Sequence, residues 1–596
     1  MTSITSPPPR PEAREAAAIE LLRRSAIASS APRERIRCAL AATQAGSNLP
    51  APLRCRAHLA LGELLHEHAD EPVLAVTHLR SAIGLCDRPS TPAPLRLAVL
   101  CRSMSVGQGL VRSGQLKDAR SLLETLQGAL LKGSGAEGDH DAPAPPDPTG
   151  HWLLAHVGVL RVVLLVRDGL LKPAERMLPD VIAHVDTLPA SFRHACMKDK
   201  TVTASQPALA TAIYGPTRSA LRRVLEFQKA SILAQQGELR DATKAVDELL
   251  SQTSQAADAA KLDARERGGA PNLDGAADAA INDEARLLRA SLHVTKLEFD
   301  QAIALAKELK PILCPFPTPV AASPAQKKRQ RDAAQATAPA PSRAHGRASW
   351  LLLLAHAALA LEEYGVANQL VQRAADSLAG TPHPAQTVLS LWVKMLECML
   401  DPEQGETRAE TLRSLTVSEE VRSHRLLRGT VFLAQGEASL AAGAAEEAER
   451  RLTRCVKFCV GESRCDVLAA ASLTALAAAV GANGGGAADG EASSSATVTS
   501  PGGGGDGGEA DKDPKRRRSE DALSSALCMA AKMEDLHAQR RTLKGWSQHY
   551  VNIGDETQAT AFGELYAEFE GKLSRRLRKA RGAHEDFTAL FDDRYP

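Results

Sequence analysis

Aromatic side chains make up only 3% of this 596-residue chain. Its interior must therefore be built from Ala, Leu and Val, a composition that favours helices packed closely on helices over sheets. Net charge is as scarce: 72 basic residues face 71 acidic ones, leaving +1, which as a whole-chain average is no footprint for nucleic acid or an anionic membrane. The 11 cysteines are odd in number and lack framework spacing, so they read as small buried hydrophobes of a reducing compartment rather than disulfides. Long apolar runs are missing too. Val467–Ala482 comes closest, but it carries Ser472 and Thr474 and falls short of a span, so it reads as a buried helix. Met1–Ala18 has Pro7-Pro8-Pro9 and alternating charges in place of a secretory leader's apolar core. No membrane association is expected.

Catalytic signatures are equally thin. There is no G-x-x-x-x-G-K-[ST] loop, and the glycines at 484–486 and 502–508 lie in low-complexity sequence. His66-Glu67-His68 places its imidazoles two residues apart, whereas a zinc peptidase needs them at i and i+4 on one helical face. Cys455, Cys459 and Cys465 bring at most two thiols to one face, short of the four ligands of structural zinc. No Ser/His/Asp or Cys/His set stands out. The expectation is a chain that is not an enzyme, with no cofactor and no metal.

What the sequence has is recurrence. A helix with a small residue midway is followed by a turn, an Ala five residues past the turn, and apolar residues four and seven beyond that. In Val99–Leu130 these are Gly107, Gly114, Ala119, Leu123 and Leu126. Phe227–Leu250 repeats the pattern with Ala230, Gly237, Ala242, Val246 and Leu249, and Thr430–Cys459 with Gly436, Gly443, Ala448, Leu452 and Cys455. Weaker copies pivot on Ala75 (with Gly62), Ala174 (with Gly169), Ala302, Ala367 and Ala559 (with Gly554), making eight readable pairs. Small residues let two antiparallel helices approach closely, and the later apolar positions pack on the next pair. The fold expected is all-α: a tetratricopeptide-like helical-repeat superhelix, an α-solenoid, with disordered insertions.

Composition divides the chain further. Residues 1–14 read as a disordered N-terminus, 15–132 as repeats, and 133–150 as a disordered linker. Residues 151–314 read as repeats with a flexible insertion near 251–283, followed by a disordered basic loop at 315–346. Repeats resume over 347–480, a disordered Gly-rich loop occupies 481–520, and C-terminal helices occupy 521–591. Two basic clusters fall in the expected loops, Lys327–Arg331 and Lys515-Arg516-Arg517-Arg518. The second follows Pro514 on a flexible arm and reads as a nuclear-import signal.

Three runs near the N-terminus carry a family resemblance: Arg35-Ile36-Arg37-Cys38-Ala39-Leu40, Pro52 to Gly62 (PLRCRAHLALG), and Ala75 to Ala82 (AVTHLRSA). In order and spacing they resemble the opening of the cohesin loading factor family. His424–Gly443 with Ala448–Val456 resembles that family's late repeat, and Ala522–Lys572 its C-terminal helices. The resemblance implies a scaffold subunit of the cohesin loader. Such a subunit encloses the extended N-terminal segment of the large adherin (Nipped-B-like) subunit, acts on cohesin and chromatin through that complex, and resides in the nucleus. Repeat geometry turns polar residues of first helices toward the groove, so Arg56, Glu63 and His66, with Gln108 and Arg112, are the expected partner-binding residues. The competing reading is a tetratricopeptide adaptor of another assembly, a ubiquitin-ligase or chaperone scaffold. A repeat protein with an appended enzyme domain, such as a glycosyltransferase, is excluded for want of a segment of ordinary domain size.

Overall fold

Proline opens and a left-handed residue closes many of the helices. Helices α2 (Pro32–Gln44), α3 (Ala51–His68), α4 (Pro72–Cys86) and α5 (Ala93–Ser113) each carry Pro in the first two helical positions, where its missing N–H leaves nothing unpaired. Gly114 ends α5 at φ 77, and its N–H bonds back to the last turn. Gly169, Gly237, Gly443 and Gly554 adopt the same conformation, which costs glycine nothing. The computed structural model describes residues 11–27, 29–45, 49–69, 71–88, 90–133, 148–192, 195, 217–267, 274–313, 341–379, 384–400, 405–418, 421–422, 424–485 and 514–581.

The other helices are α1 (Pro11–Ser25), α6 (Leu116–Gly133), α7 (Pro148–Arg167), α8 (Leu171–Asp186), α9 (Arg218–Gln235), α10 (Leu239–Arg267), α11 (Asp274–Thr295) and α12 (Phe299–Leu313). They continue as α13 (Pro341–Ala360), α14 (Tyr364–Ala379), α15 (Pro384–Leu400), α16 (Gly405–Val417), α17 (Arg425–Ala441) and α18 (Ala445–Val456). A π-helical segment, Lys457–Ser463, comes next, then α19 (Asp466–Gly485), α20 (Pro514–Lys532), α21 (Leu536–Asn552) and α22 (Glu556–Arg581). Among the described residues there is no strand, only an isolated bridge between Ser191 and Thr217. Among the described residues successive helices pack as eleven pairs, α1/α2 to α21/α22, and the first helices of most adjacent pairs touch as well. The protein is an all-α helical-repeat solenoid.

The repeated small residues stand at the closest approaches. A Cβ on Gly436 would lie 2.5 Å from Leu452 Cγ, and one on Gly62 2.8 Å from Leu79 Cγ. At Gly107 the nearest atom, Leu123 Cδ2, is 3.4 Å away. Ala75, Ala119, Ala174, Ala242, Ala302, Ala367 and Ala448 are all buried, whereas Ala559 is half-buried. Gly436→Ala is accordingly expected to lose about 2 kcal/mol of stability through overpacking. Gly107→Ala is expected to be neutral or to gain up to about 1 kcal/mol from helix propensity. Urea midpoints of the two variants check this; equal effects would contradict the packing account.

Before Ala302 and Ala367 the turn carries no glycine, and the structure shows what replaces it. Leu297 and Glu362, five residues before Ala302 and Ala367, take the left-handed conformation themselves at φ 61 and 64, which costs a non-glycine residue roughly 1 kcal/mol. Glu534 does the same at φ 55 between α20 and α21.

Several expected insertions are corrected. Most of the stretch 251–283 is helix: α10 runs on through Arg267 and α11 begins at Asp274, with 268–273 between them outside the described residues. Its Ala, Gln, Lys and Glu residues, taken for low complexity, are strong helix formers, and the first Gly-Gly comes only at 268–269. Helix α1 already starts at Pro11, α7 at Pro148 and α13 at Pro341, so parts of 1–14, 133–150 and 315–346 are helical. In the expected 481–520 loop, α19 extends to Gly485 and α20 starts at Pro514. Residues 134–147, 315–340 with the Lys327–Arg331 cluster, and 486–513 lie outside the described residues.

The later pairs lie on the earlier ones. Helix α15 packs against α5. In the turn between α7 and α8, Asp168 is almost wholly buried and accepts from Arg120 at 2.9 Å and from the backbone N–H of Arg425, in the first turn of α17, at 2.9 Å. Beside it the missing Cβ of Gly169 would sit 2.9 Å from Leu426 Cβ. Lys172 donates to the carbonyls of Val460 and Gly461 at 3.1 and 3.0 Å, in the widened π turn. Farther along, Lys532 pairs with Glu238 at 3.4 Å, and Arg540 with Glu362 at 2.6 Å. His537 donates to the Ala360 carbonyl at 2.9 Å. The eighth and ninth pairs thus rest on the third and fourth, and the last two on the fifth and seventh. One apolar core joins Cys55–Ile232 to Leu433–Val480.

Pro148–Arg167 and Asp466–Asn483 are long and apolar enough to cross a membrane; 67% and 50% of these windows is buried in the fold. Helix α7 is apolar on nearly every side because neighbours cover it on several faces.

Candidate functional site

Helices α1, α3 and α5 are the first helices of the first three pairs, and their exposed faces enclose a cavity of 640 Å³. On α3 the lining residues step along one face as Leu53, Arg56, Leu59, Ala60, Glu63, Leu64 and Glu67; α5 adds Leu95, Ala98 and Arg102. Spacings of three, four and seven put these side chains on a common stripe. Helix α1 closes the far side with Ile19, Leu22, Arg23 and Ser25, and Arg35 reaches in from α2. The floor is aliphatic, and four arginines face two carboxylates, a net positive lining.

Most of these charges are spoken for. Arg23 holds Glu20 at 2.8 Å. Arg35 donates to the Ser25 carbonyl at 2.9 Å, and its guanidinium lies 3.3 Å from His68 Nε2. Arg102 pairs with Glu63 at 2.6 Å, yet burial outweighs that partner and holds the Glu63 carboxyl above its ordinary range. Arg35 is thus held by a carbonyl and an imidazole rather than a carboxylate, whereas Arg56 alone of the lining arginines has neither an ion pair nor a hydrogen bond among the described residues, and it is exposed.

Of the five residues expected to bind a partner, Arg56 and Glu63 line this cavity and the other three do not. His66 lies farther along α3, where its Nε2 occupies the space a Cβ on Gly109 would need, 2.8 Å away. Arg112 is exposed on the last turn of α5, and its backbone carbonyl accepts from Arg167 at 2.9 Å. Gln108 is six residues from Arg102 and so about 120° round the helix from the lining stripe. Arg102 was not singled out, although its place seven residues past Leu95 is the signal that finds it.

The basic cluster 515–518 is not on a flexible arm. It forms the first turns of α20, with Pro514 at the start. Arg516 pairs with Glu520 at 2.9 Å and Asp555 at 3.5 Å; Arg518 pairs with Glu449 at 2.5 Å and donates to Thr453 at 3.1 Å. Lys515 donates to the Asn483 carbonyl at 3.4 Å. These contacts tie α20 to its neighbours, so the cluster is presented on a helix, where Lys515, Arg517 and Arg518 are exposed.

Among the described residues no three His, Cys, Asp or Glu side chains could hold a metal ion. His66 and His68 diverge, the one against Gly109 and the other toward Arg35. Cys455 lies 3.9 Å from Cys459 and 3.0 Å from Ser472 Oγ in a closed interior. Burial pushes the Cys55 and Cys465 thiols up to about 11 and Cys86 to about 12, so they stay protonated and unreactive at neutral pH.

No protein-family model matches the chain, and no curated protein matches it. Similar solved structures include a Rap protein complexed with competence and sporulation factor, at 11% identity and TM-score 0.31, covering 84% of this chain and 96% of that one. Others are the APC/C hetero-tetramer Cut9–Hcn1, at 11% identity and TM-score 0.28 with 96% of each chain covered, and Scc4 in complex with Scc2n, at 8% identity and TM-score 0.28 with 96% of this chain and 100% of that one covered. At such TM-scores the fold assignment rests on the helix pairs themselves.

Proposed function

We propose that this chain is a non-catalytic scaffold that holds an extended segment of a larger protein against the first-helix face of its N-terminal pairs. The observation that carries this reading is the 640 Å³ cavity with an aliphatic floor and the unpaired Arg56. Room for a few residues, apolar contact and one free cation suit a peptide bearing aliphatic side chains and a carboxylate. For the partner, the proposal is the adherin subunit of the cohesin loader, which would place the protein with cohesin on chromatin in the nucleus. Its support is the family resemblance, and the resembling run Pro52–Gly62 is the one that supplies Leu53, Arg56, Leu59 and Ala60 to the cavity wall.

The test is affinity purification of the tagged full chain from dividing cells, beside Arg56→Glu. The expected result is recovery of a very large HEAT-repeat protein with cohesin subunits, and at least a tenfold weaker recovery with the variant, about 1.4 kcal/mol of binding. Ubiquitin-ligase, proteasome or chaperone components recovered in place of the adherin would overturn the partner. Undiminished recovery with Arg56→Glu would overturn the cavity as its seat.

A further inference from the structure

The near-neutral chain hides one strongly uneven helix. Helix α22 carries Glu564, Glu568 and Glu570 in its middle and no acid beyond, whereas Lys572, Arg575, Arg576, Arg578 and Lys579 crowd its last turns. Leu573 and Leu577 are buried in the core shared with α11–α14. At 100° per residue the five cations cover the half-cylinder opposite those leucines, and all five are exposed. Lys572 is held by Glu568 at 2.6 Å. Arg575 and Arg578 reach only helix carbonyls, Gly571 at 3.1 Å and Ser574 at 3.4 Å. The other four cations, Arg575, Arg576, Arg578 and Lys579, have no carboxylate partner among the described residues.

A helix C-terminus welcomes a cation or two through its dipole, for about 0.3–1 kcal/mol each within the last turn. Five cations over two turns exceed that purpose, and Glu568, paired with Lys572 and near Arg575, offsets only part of their mutual repulsion. We propose that this face of α22 docks the sugar–phosphate backbone of double-stranded DNA without reading sequence. The unpaired cations fall within about 6 Å along the helix axis, close to the spacing of neighbouring phosphates on one strand, and duplex DNA presents roughly one negative charge per 1.7 Å. A row of exposed cations along one helix face suits a continuous polyanion. A membrane surface is a poorer match, since an interfacial helix needs an exposed apolar face and here the leucines are buried. An acidic peptide, the other polyanion of this chemistry, is set apart by the polyglutamate arm of the test below.

Binding of the full chain to two unrelated 30-base-pair duplexes, measured by fluorescence anisotropy from 50 to 200 mM salt, tests this. The expected result is equal affinity for both duplexes, with log K falling against log salt at a slope of about −3 to −4, roughly one unit per engaged cation. Arg575→Gln/Lys579→Gln should shrink that slope by about 2 and weaken binding at least tenfold at 100 mM salt. Its melting temperature should not move, because both side chains are on the surface. No binding at 50 mM salt, an unchanged slope in the variant, or binding to anionic vesicles or polyglutamate in preference to DNA would each overturn the proposal. Adherin recovery through Arg56 is a separate readout, so failure of either leaves the other standing.

Discussion

Asp168→Ala is expected to lower the unfolding free energy by about 3 kcal/mol, one of the largest effects of any single substitution outside the apolar core. The carboxylate is 2% exposed, accepts hydrogen bonds from Arg120 and from the backbone N–H of Arg425, and has the Arg425 guanidinium as a second ionic neighbour at 3.7 Å. Removing one partner of a buried ion pair costs about 3–5 kcal/mol. The low end applies because Arg120 and Arg425 are 38% and 37% exposed and regain water. Asp168 also serves as a negative cap for α17 across 257 residues of sequence, so its loss frees a first-turn N–H and a favourable charge at a helix N-terminus. Asp168→Asn keeps an oxygen for that N–H and should lose about half as much, being deprived mainly of the ionic term. Equal losses for Ala and Asn would show that the cap is idle; no loss for either would show that the junction does not hold the pairs together.

Acid should loosen the same junction. His424 caps α17 by accepting the Leu427 N–H on its Nδ1 at 3.3 Å, a role open only to a neutral ring. Burial, against the opposing pull of Asp168, pushes its pKa down to about 4. His156, sealed inside α7, is pushed down to about 3 by burial and then by Arg112. In the unfolded chain each ring takes up its proton near pH 6.5. Between that value and the folded ones the unfolded state binds more protons, so stability is full above about pH 6.5 and declines as pH falls. By pH 5 each ring contributes a loss of about 2 kcal/mol, about 4 kcal/mol together. The carboxyls of Glu63 and Glu437, raised by burial, act in the opposite sense and trim the sum. Urea unfolding at pH 8 and pH 5 reads the net. His424→Asn keeps a capping oxygen without a titrating ring and should narrow the difference between the two pH values by about 2 kcal/mol. A flat profile in the wild type, or one that His424→Asn leaves unchanged, would contradict this.

Much of the architecture was legible because close helix approach demands small side chains at fixed intervals. Gly436 and Ala448 with Leu452 are a steric requirement written in sequence, and so are Gly62 and Ala75 with Leu79. The signal faded where tertiary contacts allow another residue to do the work. Leu297 and Glu362 hold turns that glycine usually holds, Glu362 with Arg540 beside it. It failed where composition was read without propensity: the Ala-rich run after Ser251 is helix. Of the site, all five residues were placed by repeat position alone; Arg56 and Glu63 also fall on the lining stripe of α3, whereas Gln108 is turned away from that of α5. The 515–518 cluster was misread because its partners Glu449 and Asp555 are remote in sequence.

The stacking of late pairs on early ones also bears on how the chain unfolds. A solenoid whose repeats touch only their neighbours frays from its ends, like a zipper. Here Asp168, Lys172 and Glu362 bind segments that the chain synthesises roughly 180 to 290 residues later. Unzipping from the C-terminus therefore strips support from the middle, and melting should be one cooperative event rather than a graded one. The same long-range closures must form before that support exists, so they should slow folding relative to a solenoid of purely nearest-neighbour contacts.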